Sequence, residues 1–409
     1  MEAHSLIIDR SAIVVGGAIG GTTVALLLAG AGMHVTLFER VAEPRAIGAA
    51  ILLQPNGLGV LYGLGLGDQL NAHGMRIRDV VLQDGAGRVL TRSRMPDFGG
   101  LDHALVIPRS HLLDVLSNAV ATHPLIEAHY GARVESVTPA GTVAFEEAGD
   151  QNGGNALHTR EAELIVGADG LHSRVREQGR FGAMRTPTGV SYVRGLSSAR
   201  INVAQSCEAW TRLGIFGMAP LREGSYFYTS ASSPALADAL AQHNLPAFRA
   251  AWSAAYPESR AILDPLDKFE DLLLNEVSEV HCAHFVDERL VLVGDAAHAM
   301  APNLGQGANS AIVDALVLAY ELIRTPHQAE ALRRYDERRR PAVVRVQRTA
   351  RLLARLGDLP HPRQRWLRDN AMRLLLRIPG SSARAARDAQ QESPAWLQHT
   401  ARALTGGRA

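Results

Sequence analysis

The feature that most constrains the fold is a glycine-rich turn near the start of the chain, between a predicted strand and a predicted helix. The strand covers residues 12–15, the turn 16–21 has the sequence GGAIGG, and the helix continues to about 31. A second predicted strand, 34–39, follows at once. This order is typical of a βαβ unit, whose strands lie parallel in one sheet. We therefore predict an α/β protein with a Rossmann-like domain.

The uncharged segment 11–32 needs a second interpretation, because its length would allow a membrane span. Glycines interrupt the segment six times and a strand follows it directly, so a buried strand–turn–helix explains it better.

Cys207 and Cys282 are the only cysteines, too few for a disulfide framework and typical of a reducing compartment. We expect a cytoplasmic protein without a membrane span.

The glycine turn has the features of a dinucleotide site. Gly16, Gly20 and Gly21 would let the backbone approach a pyrophosphate at the positive end of the helix dipole. Ala18 stands where a second glycine is usual. Glu39 ends the second strand, where a carboxylate can accept hydrogen bonds from ribose hydroxyls. The turn alone is weak evidence, but the complete order of elements favours NAD or FAD.

Two later motifs separate FAD from NAD. Residues 166–176 (VGADGLHSRVR) and 292–298 (LVGDAAH) each follow an apolar run, and 305–309 (GQGAN) lead into a helix. Asp295, at the carboxyl end of a strand, suits the hydroxyls of a ribityl chain, which FAD has and NAD lacks. Backbone N–H groups of the last segment would stabilise the negative charge of a reduced flavin. Together with the first turn, these motifs favour FAD.

In this order and spacing, the three motifs resemble those of the class A FAD-dependent aromatic hydroxylases, typified by 4-hydroxybenzoate and salicylate hydroxylases. The resemblance covers 12–345 and is most specific in DGLHSRVR and GDAAHAMAPNLGQGANSAIVDA. It implies that NADH or NADPH reduces FAD, that O2 adds at flavin C4a, and that the hydroperoxide hydroxylates an aromatic or heteroaromatic ring. Val313 departs from the family, which often has glutamate there.

The resemblance also implies which residues hold FAD. Asp169 would stabilise the loops around the pyrophosphate, Asp295 would bind the ribityl chain, and Pro302 would lie against the isoalloxazine. Arg109 fits the family arginine that reaches the ribityl chain and phosphates, and a cation at a helix start is otherwise disfavoured by the dipole. The predicted cofactor-binding set is Gly16, Ala18, Gly20, Gly21, Glu39, Arg40, Arg109, Val134, Asp169, Gly294, Asp295, Pro302, Gly305, Gly307 and Asn309.

The middle of the chain predicts a second domain, because short aromatic segments there read as antiparallel strands. We assign 1–75, 100–184 and 280–345 to the FAD-binding domain, 76–99 and 185–279 to an inserted substrate domain, and 346–409 to a C-terminal helical tail. Hairpins are predicted at 84–87 and 150–154. The candidates for substrate contact, which could equally be sheet packing, are Tyr192, Arg194, Met218, Phe227 and Tyr228.

The tail after Arg345 is rich in arginine, which would allow a membrane or nucleic-acid surface. The favoured interpretation is a helical tail whose leucines pack on the body of the protein. A formal net charge of +1 gives no attraction to nucleic acid. We expect a small-molecule enzyme that is a monomer or homodimer. Two alternatives remain open. One is epoxidase or N-hydroxylase activity on the same fold, and the other is a non-catalytic flavin-binding sensor.

Overall fold

The computed structural model describes residue 7 and residues 10–43, 49–147, 156–201, 205–375, 378 and 380–406. These residues form a mainly parallel sheet, a larger mainly antiparallel sheet, two three-stranded sheets and the helices around them. The mixed α/β class predicted from the sequence is confirmed. The predicted hairpin at 150–154 lies outside the described residues, whereas 84–87 does connect two paired strands.

The first sheet has six strands. They are β1 (Ser11–Val15), β2 (His34–Glu39), β8 (Ile126–Tyr130), β12 (Leu164–Gly167), β18 (Val286–Asp287) and β19 (Leu290–Leu292). Their order is β18-β19-β12-β1-β2-β8, and every neighbouring pair is parallel except β18 with β19. β1, β12 and β19 are almost entirely apolar, as expected for strands covered by helices on both faces.

The helices of this unit enclose the parallel sheet. They are α1 (Ile19–Gly30), α4 (Arg109–Ala121), α5 (Arg174–Gln178), α9 (Asp295–His298), α10 (Gly307–Arg324) and α11 (Gln328–Gly357). α1 is buried along nearly its whole length, and its side chains join those of β1 and α10 in the main core. The uncharged segment at the start of the chain is therefore an internal βα unit. Within the described residues, no helix combines the length and apolar composition that crossing a membrane requires.

The second sheet has seven strands. They are β5 (Asp79–Asp84), β6 (Val89–Arg94), β13 (Ala183–Ser197), β14 (Gln205–Thr211), β15 (Gly214–Pro220), β16 (Ser225–Ser230) and β17 (Leu273–Cys282). Their order is β17-β13-β16-β15-β14-β5-β6, and only β14 with β5 is a parallel pair. Both segments assigned to the substrate domain, 76–99 and 185–279, contribute to this one sheet.

The two faces of the second sheet have different neighbours. One face packs on helices α6 (Pro234–Ala241), α7 (Leu245–Ala255) and α8 (Arg260–Leu263) around the buried Trp252. The other face contacts a small sheet of β3 (Ala50–Leu53), β7 (Ala104–Pro108) and β4 (Met75–Ile77). This second face is therefore turned toward the nucleotide-binding unit.

The remaining elements connect these units. They are the antiparallel strands β9 (Ala132–Val137), β10 (Thr142–Glu147) and β11 (Leu157–Glu161), the helices α2 (Pro55–Gly63), α3 (Gly67–His73), α12 (Pro362–Leu375), α13 (Ser381–Ala389) and α14 (Pro394–Leu404), and three 3-10 turns at Pro257–Ser259, Phe269–Asp271 and Pro302–Leu304. The sequence predicts one helix from Asn56, as its cap, to about Ala72; this prediction is wrong, because Gly65 has a φ of 80° and separates α2 from α3. Asn56 also lies inside α2 rather than capping it.

The C-terminal helices behave in two ways. The boundary predicted at 345 falls inside α11, which continues to Gly357. In α14, Leu397 and Ala401 are fully buried and pack on α2, as expected of a tail that covers the body. In α12, Leu367 and Leu374 remain more than half exposed. The expectation that the tail's leucines pack on the body is therefore wrong for α12.

Candidate active site

Three of the sequence motifs meet at one edge of the parallel sheet. Val15 at the end of β1 is paired with Gly167 at the end of β12, and Gly167 is paired with Leu292 at the end of β19. The turns that follow therefore lie side by side. Gly16 has a φ of 106°, and a Cβ there would lie 2.5 Å from the Ala168 oxygen, so this close approach requires glycine. The carboxyl edge of such a sheet is where nucleotides bind in α/β proteins.

The start of α1 has the geometry of an anion site. No side chain caps its first turn, so the N–H groups there are available to a ligand. Gly21 lies against the preceding turn, where a Cβ would be 1.8 Å from the Gly16 oxygen. Ala18 is exposed and has a φ of −81°, a value that any residue adopts. Alanine in place of the usual glycine therefore leaves the turn intact.

Glu39 connects the end of β2 to this turn. Its Oε2 accepts a hydrogen bond of 2.7 Å from the Gly17 N–H, and its Oε1 accepts one of 3.0 Å from the Val41 N–H. Each carboxylate oxygen can accept a further bond, so ribose hydroxyls could be added to this arrangement. Arg40 is exposed beside it, whereas the side chain of Val134 on β9 is buried in the main core. Val134 could therefore offer a ligand its backbone but not its side chain.

Asp169 organises the loop after β12. Its Oδ2 accepts backbone hydrogen bonds from Arg174 (2.7 Å) and Val175 (3.2 Å). Its Oδ1 is buried and has no hydrogen-bond donor among the described residues. Burial raises the pKa of Asp169, although the hydrogen bonds that it accepts from Ser173 and the backbone oppose this rise. The unsatisfied oxygen leaves one polar position for a ligand or water near the pyrophosphate end of the site.

Asp295 and Arg109 face a second part of the same edge. Asp295 begins α9 with an exposed side chain that has no hydrogen-bond donor in the described part of the chain. Its Oδ1 is close to the start of α10, 3.9 Å from the position that a Cβ on Gly307 would occupy. Burial lowers the pKa of Arg109, the charge of Arg194 lowers it further, and the charge of Asp295 opposes both. A carboxylate, two guanidinium groups and an uncapped helix start therefore face one region.

This donor and acceptor set fits FAD. The uncapped start of α1 suits the pyrophosphate, and Glu39 suits the adenosine ribose. Asp295 can accept hydrogen bonds from ribityl hydroxyls, and Arg109 supplies the positive charge that phosphate requires. Pro302 and Gly305 lie in the 3-10 turn and the loop that lead to α10, the segment where the resemblance implies that the flavin end would lie. Within the described residues, no group of side chains has the composition of a metal site.

A buried ion cluster fixes the turn that carries Asp295. Asp314 accepts hydrogen bonds from the Gly294 N–H (3.0 Å), His298 Nε2 (2.5 Å) and Arg339 Nε (2.7 Å). Burial by itself would raise the pKa of Asp314, but His298, Arg339 and these hydrogen bonds together lower it to about 2. The carboxylate is therefore charged at neutral pH and holds Gly294, whose φ is 60°. Sequence reasoning did not identify this cluster.

Asn309 and several glutamines join the tail to residues 302–309, the segment before and at the start of α10 that is predicted to lie at the flavin and is called the flavin loop below. Asn309 Oδ1 accepts from the Gln54 N–H (2.9 Å), and its Nδ2 donates to the Leu52 and Gly305 oxygens. The Asn309 side chain is thus committed to holding two loops together. Gln306 continues the contact through Asn56, which in turn bonds Gln390 of the tail. Gln306 lies in the motif 305–309, but no motif marks Gln390, and the contacts of both residues depend on distant segments.

The second sheet presents polar aromatic side chains toward this edge. Tyr192, Arg194 and Tyr228 alternate with residues of the opposite face, and the Tyr192 hydroxyl donates to Asn303 Oδ1 at 3.0 Å. Because Asn303 belongs to the turn at Pro302–Leu304, this face directly meets the predicted flavin loop. Met218 and Phe227 lie on the other face, packed in the core around α6 and α7. Three of the five predicted substrate residues therefore share this face: Tyr192 contacts the loop, Arg194 lies close enough to Arg109 to affect its pKa, and Tyr228 packs partly against α11 and α12.

Glu208 is a site residue that sequence reasoning missed. Its Oε2 accepts a hydrogen bond of 2.5 Å from the Tyr228 hydroxyl, and its Oε1 accepts one of 2.6 Å from Trp210 Nε1. Burial raises the pKa of Glu208, although these two hydrogen bonds oppose the rise. Burial and the nearby Glu208 charge raise the pKa of Tyr228. Strand alternation in β14 places Glu208 and Trp210 on one face, a signal that gains meaning only once the facing strand is known.

Comparison with known proteins shows the family. The profile described as FAD binding domain matches residues 9–350. The 3-amino-4-hydroxybenzoate 2-monooxygenase of Streptomyces cremeus is 32% identical over 383 residues, 89% of this chain and 92% of that protein. The kynurenine 3-monooxygenase of Salinispora arenicola is 29% identical over 406 residues, 92% of this chain and 83% of that protein.

A solved structure has the same architecture. The 2-methyl-3-hydroxypyridine-5-carboxylic acid oxygenase superposes with a TM-score of 0.73 at 25% identity, covering 93% of this chain and 96% of its own. FAD and the NAD(P)H reductant usual in this family, both predicted from the motifs, are confirmed. The chain thus belongs to the FAD-dependent aromatic monooxygenases, the class A flavin hydroxylases that its motifs resemble.

Proposed function

We propose that this enzyme hydroxylates an aromatic or heteroaromatic ring that carries an ionisable hydroxyl group. The observation that carries the proposal is the contact between Tyr192 and Asn303, which sets the polar face of the second sheet against the flavin loop. The names of two relatives describe rings of this kind, a 3-amino-4-hydroxybenzoate and a 3-hydroxypyridine-5-carboxylic acid. A substrate bound at this face would lie beside the predicted flavin end.

Tyr228 and Glu208 would receive the proton of the substrate hydroxyl. When FAD is bound, it supplies the redox chemistry that activates O2. The Tyr228 oxygen can accept the substrate proton while the Tyr228 proton passes to Glu208 Oε2, 2.5 Å away. A raised pKa makes Glu208 a better proton acceptor than an exposed carboxylate. The resulting phenolate is more electron-rich, which favours attack by an electrophilic oxygen.

Arg194 would orient the substrate by its charge. Its guanidinium donates to Asn275 Oδ1 through Nε (3.0 Å) and through the second terminal nitrogen (2.6 Å), which fixes its direction. It is close enough to Arg109 for its charge to affect that residue's pKa. A phenolate or a ring carboxylate between the sheet and the flavin would offset this repulsion. We therefore assign Arg194 to substrate binding together with Tyr192 and Tyr228.

The test is a screen of NAD(P)H oxidation against hydroxybenzoates, hydroxypyridines and quinolones, with mass spectrometry of the products. We expect a product that has gained one oxygen. Glu208→Gln and Tyr228→Phe should lower kcat by roughly a hundredfold, and the kcat of each variant should rise with pH only as the substrate hydroxyl itself ionises. Glu276→Gln, an exposed change on β17 of the same sheet, is the matched control.

Other outcomes of this screen would change the proposal. Epoxide or N-oxygenated products would assign a different activity to the same site. A Glu208→Gln enzyme with the parent's kcat and pH profile would remove Glu208 and Tyr228 from proton transfer. Reductant oxidation that no aromatic compound stimulates would support a flavin-binding sensor.

The assembly and the cellular location also remain proposals. We infer a cytoplasmic location, because both cysteines are buried free thiols, and we propose a monomer or homodimer. One structural neighbour is a tetramer. Sedimentation of the purified protein would distinguish these states.

A further inference from the structure

Helix α12 exposes an apolar stripe. Leu367, Leu374 and Leu375 recur at helical spacing on one side of the helix, and their exposed fractions are 63%, 68% and 56%. Ile378, just beyond the helix, continues the spacing and is 53% exposed, and Trp366 at its beginning is 68% exposed. Single exposed leucines are common on proteins, but a contiguous apolar stripe marks an interaction surface.

The other side of α12 fixes the helix in this orientation. Arg368 is buried, lies 4.9 Å from the centre of the Trp210 ring and donates to the Leu356 oxygen at 2.9 Å. Met372 packs against the cluster that contains Trp210 and Ile215. Rotating the helix to bury its leucines would break these contacts and expose Trp210. The side of α12 that carries Arg368 and Met372 therefore packs on the body of the protein, and its apolar side faces outward.

The charge around the stripe is positive. α12 contains four arginines and one acidic residue, Asp369, which is paired with Arg368. Arg363 is exposed and makes no ion pair within the described residues. Arg384 and Arg387 of the following helix are also exposed and lack an ion-pair partner there. A surface with leucines, a tryptophan and unpaired arginines has the composition of helices that lie in the interface of a bilayer.

A second copy of the chain would fit this surface poorly. In a two-fold contact the same patch appears on both sides, so the arginines of one copy would face those of the other. Like charges across an interface oppose association. An anionic lipid surface instead complements the arginines and accepts the leucines among its acyl chains.

We propose that α12 docks the enzyme on the surface of an anionic lipid bilayer. The contact is peripheral: the helix lies in the headgroup region with its leucines and Trp366 toward the acyl chains. Because Trp210, against which α12 packs, bonds Glu208, the docked helix lies behind one wall of the proposed substrate face. The lipid contact stands on the exposed stripe and its charge and does not require the proposed reaction.

The experiment is co-sedimentation of the full-length holoenzyme with vesicles. One set is phosphatidylcholine alone and the other contains roughly a third phosphatidylglycerol, both at about 0.15 M salt. We expect binding to the anionic vesicles that is at least about tenfold tighter than to neutral ones and that weakens as salt is raised. Leu374→Ser combined with Leu375→Ser should lower binding to anionic vesicles by at least about tenfold.

Matched variants keep the test decisive. Leu196→Ser combined with Leu274→Ser changes two leucines that are 45% and 49% exposed on the second sheet, and it should leave vesicle binding unchanged. Arg363→Gln should weaken binding to anionic vesicles alone. Equal binding by the α12 double variant and the parent, or no binding to anionic vesicles, overturns the proposal. So does a dimer that the α12 double variant dissociates, because the stripe would then contact a second copy.

Discussion

Two carboxylates at strand ends, Asp295 and Glu39, are predicted to determine how tightly FAD is held. Asp295 is exposed and has no donor in the described protein, so its hydrogen-bonding capacity is left for the ribityl chain. We predict that Asp295→Ala weakens FAD binding by about 1.5–3 kcal/mol, roughly tenfold to a hundredfold. Fluorescence titration of the apoenzyme with FAD measures this. Asp267→Ala, an exposed change in the second domain, is the control, and an Asp295→Ala affinity equal to that of the control would refute the assignment.

Glu39 should behave differently from Asp295 because it already holds the protein. Glu39→Ala removes both the acceptor for ribose and the two hydrogen bonds to the Gly17 and Val41 N–H groups. We predict lower FAD affinity together with lower stability of the apoenzyme, by about 1–2 kcal/mol. Urea unfolding of the Asp295→Ala and Glu39→Ala apoenzymes distinguishes the two carboxylates, because only Glu39→Ala should lower the free energy of unfolding. Unchanged apoenzyme stability would show that these two bonds contribute little.

Asp314 should make stability depend on pH in the acid range. Its folded pKa of about 2 lies below its ordinary value of 3.8. The charged carboxylate therefore stabilises the fold fully above about pH 4, and this contribution of about 2 kcal/mol is lost as pH falls toward 2. Asp314→Asn leaves Arg339 buried without its counter-charge and should cost about 3–5 kcal/mol at neutral pH.

Urea unfolding of the parent and Asp314→Asn across pH 2–7 tests this sign. The difference in unfolding free energy between the two proteins should shrink as pH falls below about 4. A difference that stays constant to pH 2 would mean that Asp314 is not charged in the fold.

At the residue scale, sequence reasoning identified the residues whose positions are determined by local spacing. Gly16, Glu39 and Asp295 lie where a strand–turn–helix pattern puts them, and all three are at the sheet edge. Glu208 and Gln390 could not be found in this way, because each acquires its role from a partner in a distant segment. Phe227 was chosen for its aromatic ring, but one step along a strand reverses the face, and its ring enters the core.

At the scale of elements, helices α12 and α14 show that packing determines whether a leucine is buried or exposed. Leu397 on α14 is fully buried in the main core, and Leu374 on α12 is 68% exposed. Leu397→Ala should destabilise the fold by about 2–5 kcal/mol, whereas Leu374→Ala should change it by less than about 0.5 kcal/mol. Urea unfolding of the parent and of both variants measures the two losses of unfolding free energy, which are directly comparable because the substitution is the same. Equal losses would mean that α12 is packed against the body through its leucines.

The sequence could not distinguish these helices. Both have apolar residues at helical spacing, which predicts a stripe but not the partner that covers it. The orientation of α12 depends on Arg368 reaching Trp210, a contact between segments more than a hundred residues apart. The boundary predicted at 345 failed to coincide with an element end for a related reason. The arginine-rich sequence after Arg345 suggested a change of structure, but α11 continues through its beginning to Gly357.

At the scale of the whole molecule, the second sheet meets the flavin loop where substrate and flavin would meet. Tyr192 of the second sheet and Asn303 of the flavin loop exchange hydrogen bonds of 3.0 and 2.9 Å. A substrate bound at this face would contact both partners and could shift the loop relative to the sheet. The structure therefore offers a route by which substrate binding changes the exposure of the flavin.

This route predicts that the aromatic substrate controls reduction. The dinucleotide turn 16–21 is assigned to FAD, and we expect NAD(P)H to bind transiently and to reach a flavin that substrate has exposed. We predict that the true substrate accelerates reduction of bound FAD by at least about tenfold, a change of about 1.4 kcal/mol in the barrier. Stopped-flow absorbance measures the rate with and without the aromatic compound.

Tyr192→Phe distinguishes the acceleration of flavin reduction by the substrate from ordinary substrate binding. The change removes the hydroxyl that joins the sheet to Asn303 but keeps the ring, so substrate affinity should fall little while the acceleration shrinks. Tyr320→Phe, near the far end of α10 and bonded to Arg324, is the matched control and should retain the full acceleration. If Tyr192→Phe is accelerated as strongly as the parent, the sheet and the loop are not coupled through this contact. Reduction that is fast without any aromatic ligand would show that the enzyme does not wait for its substrate.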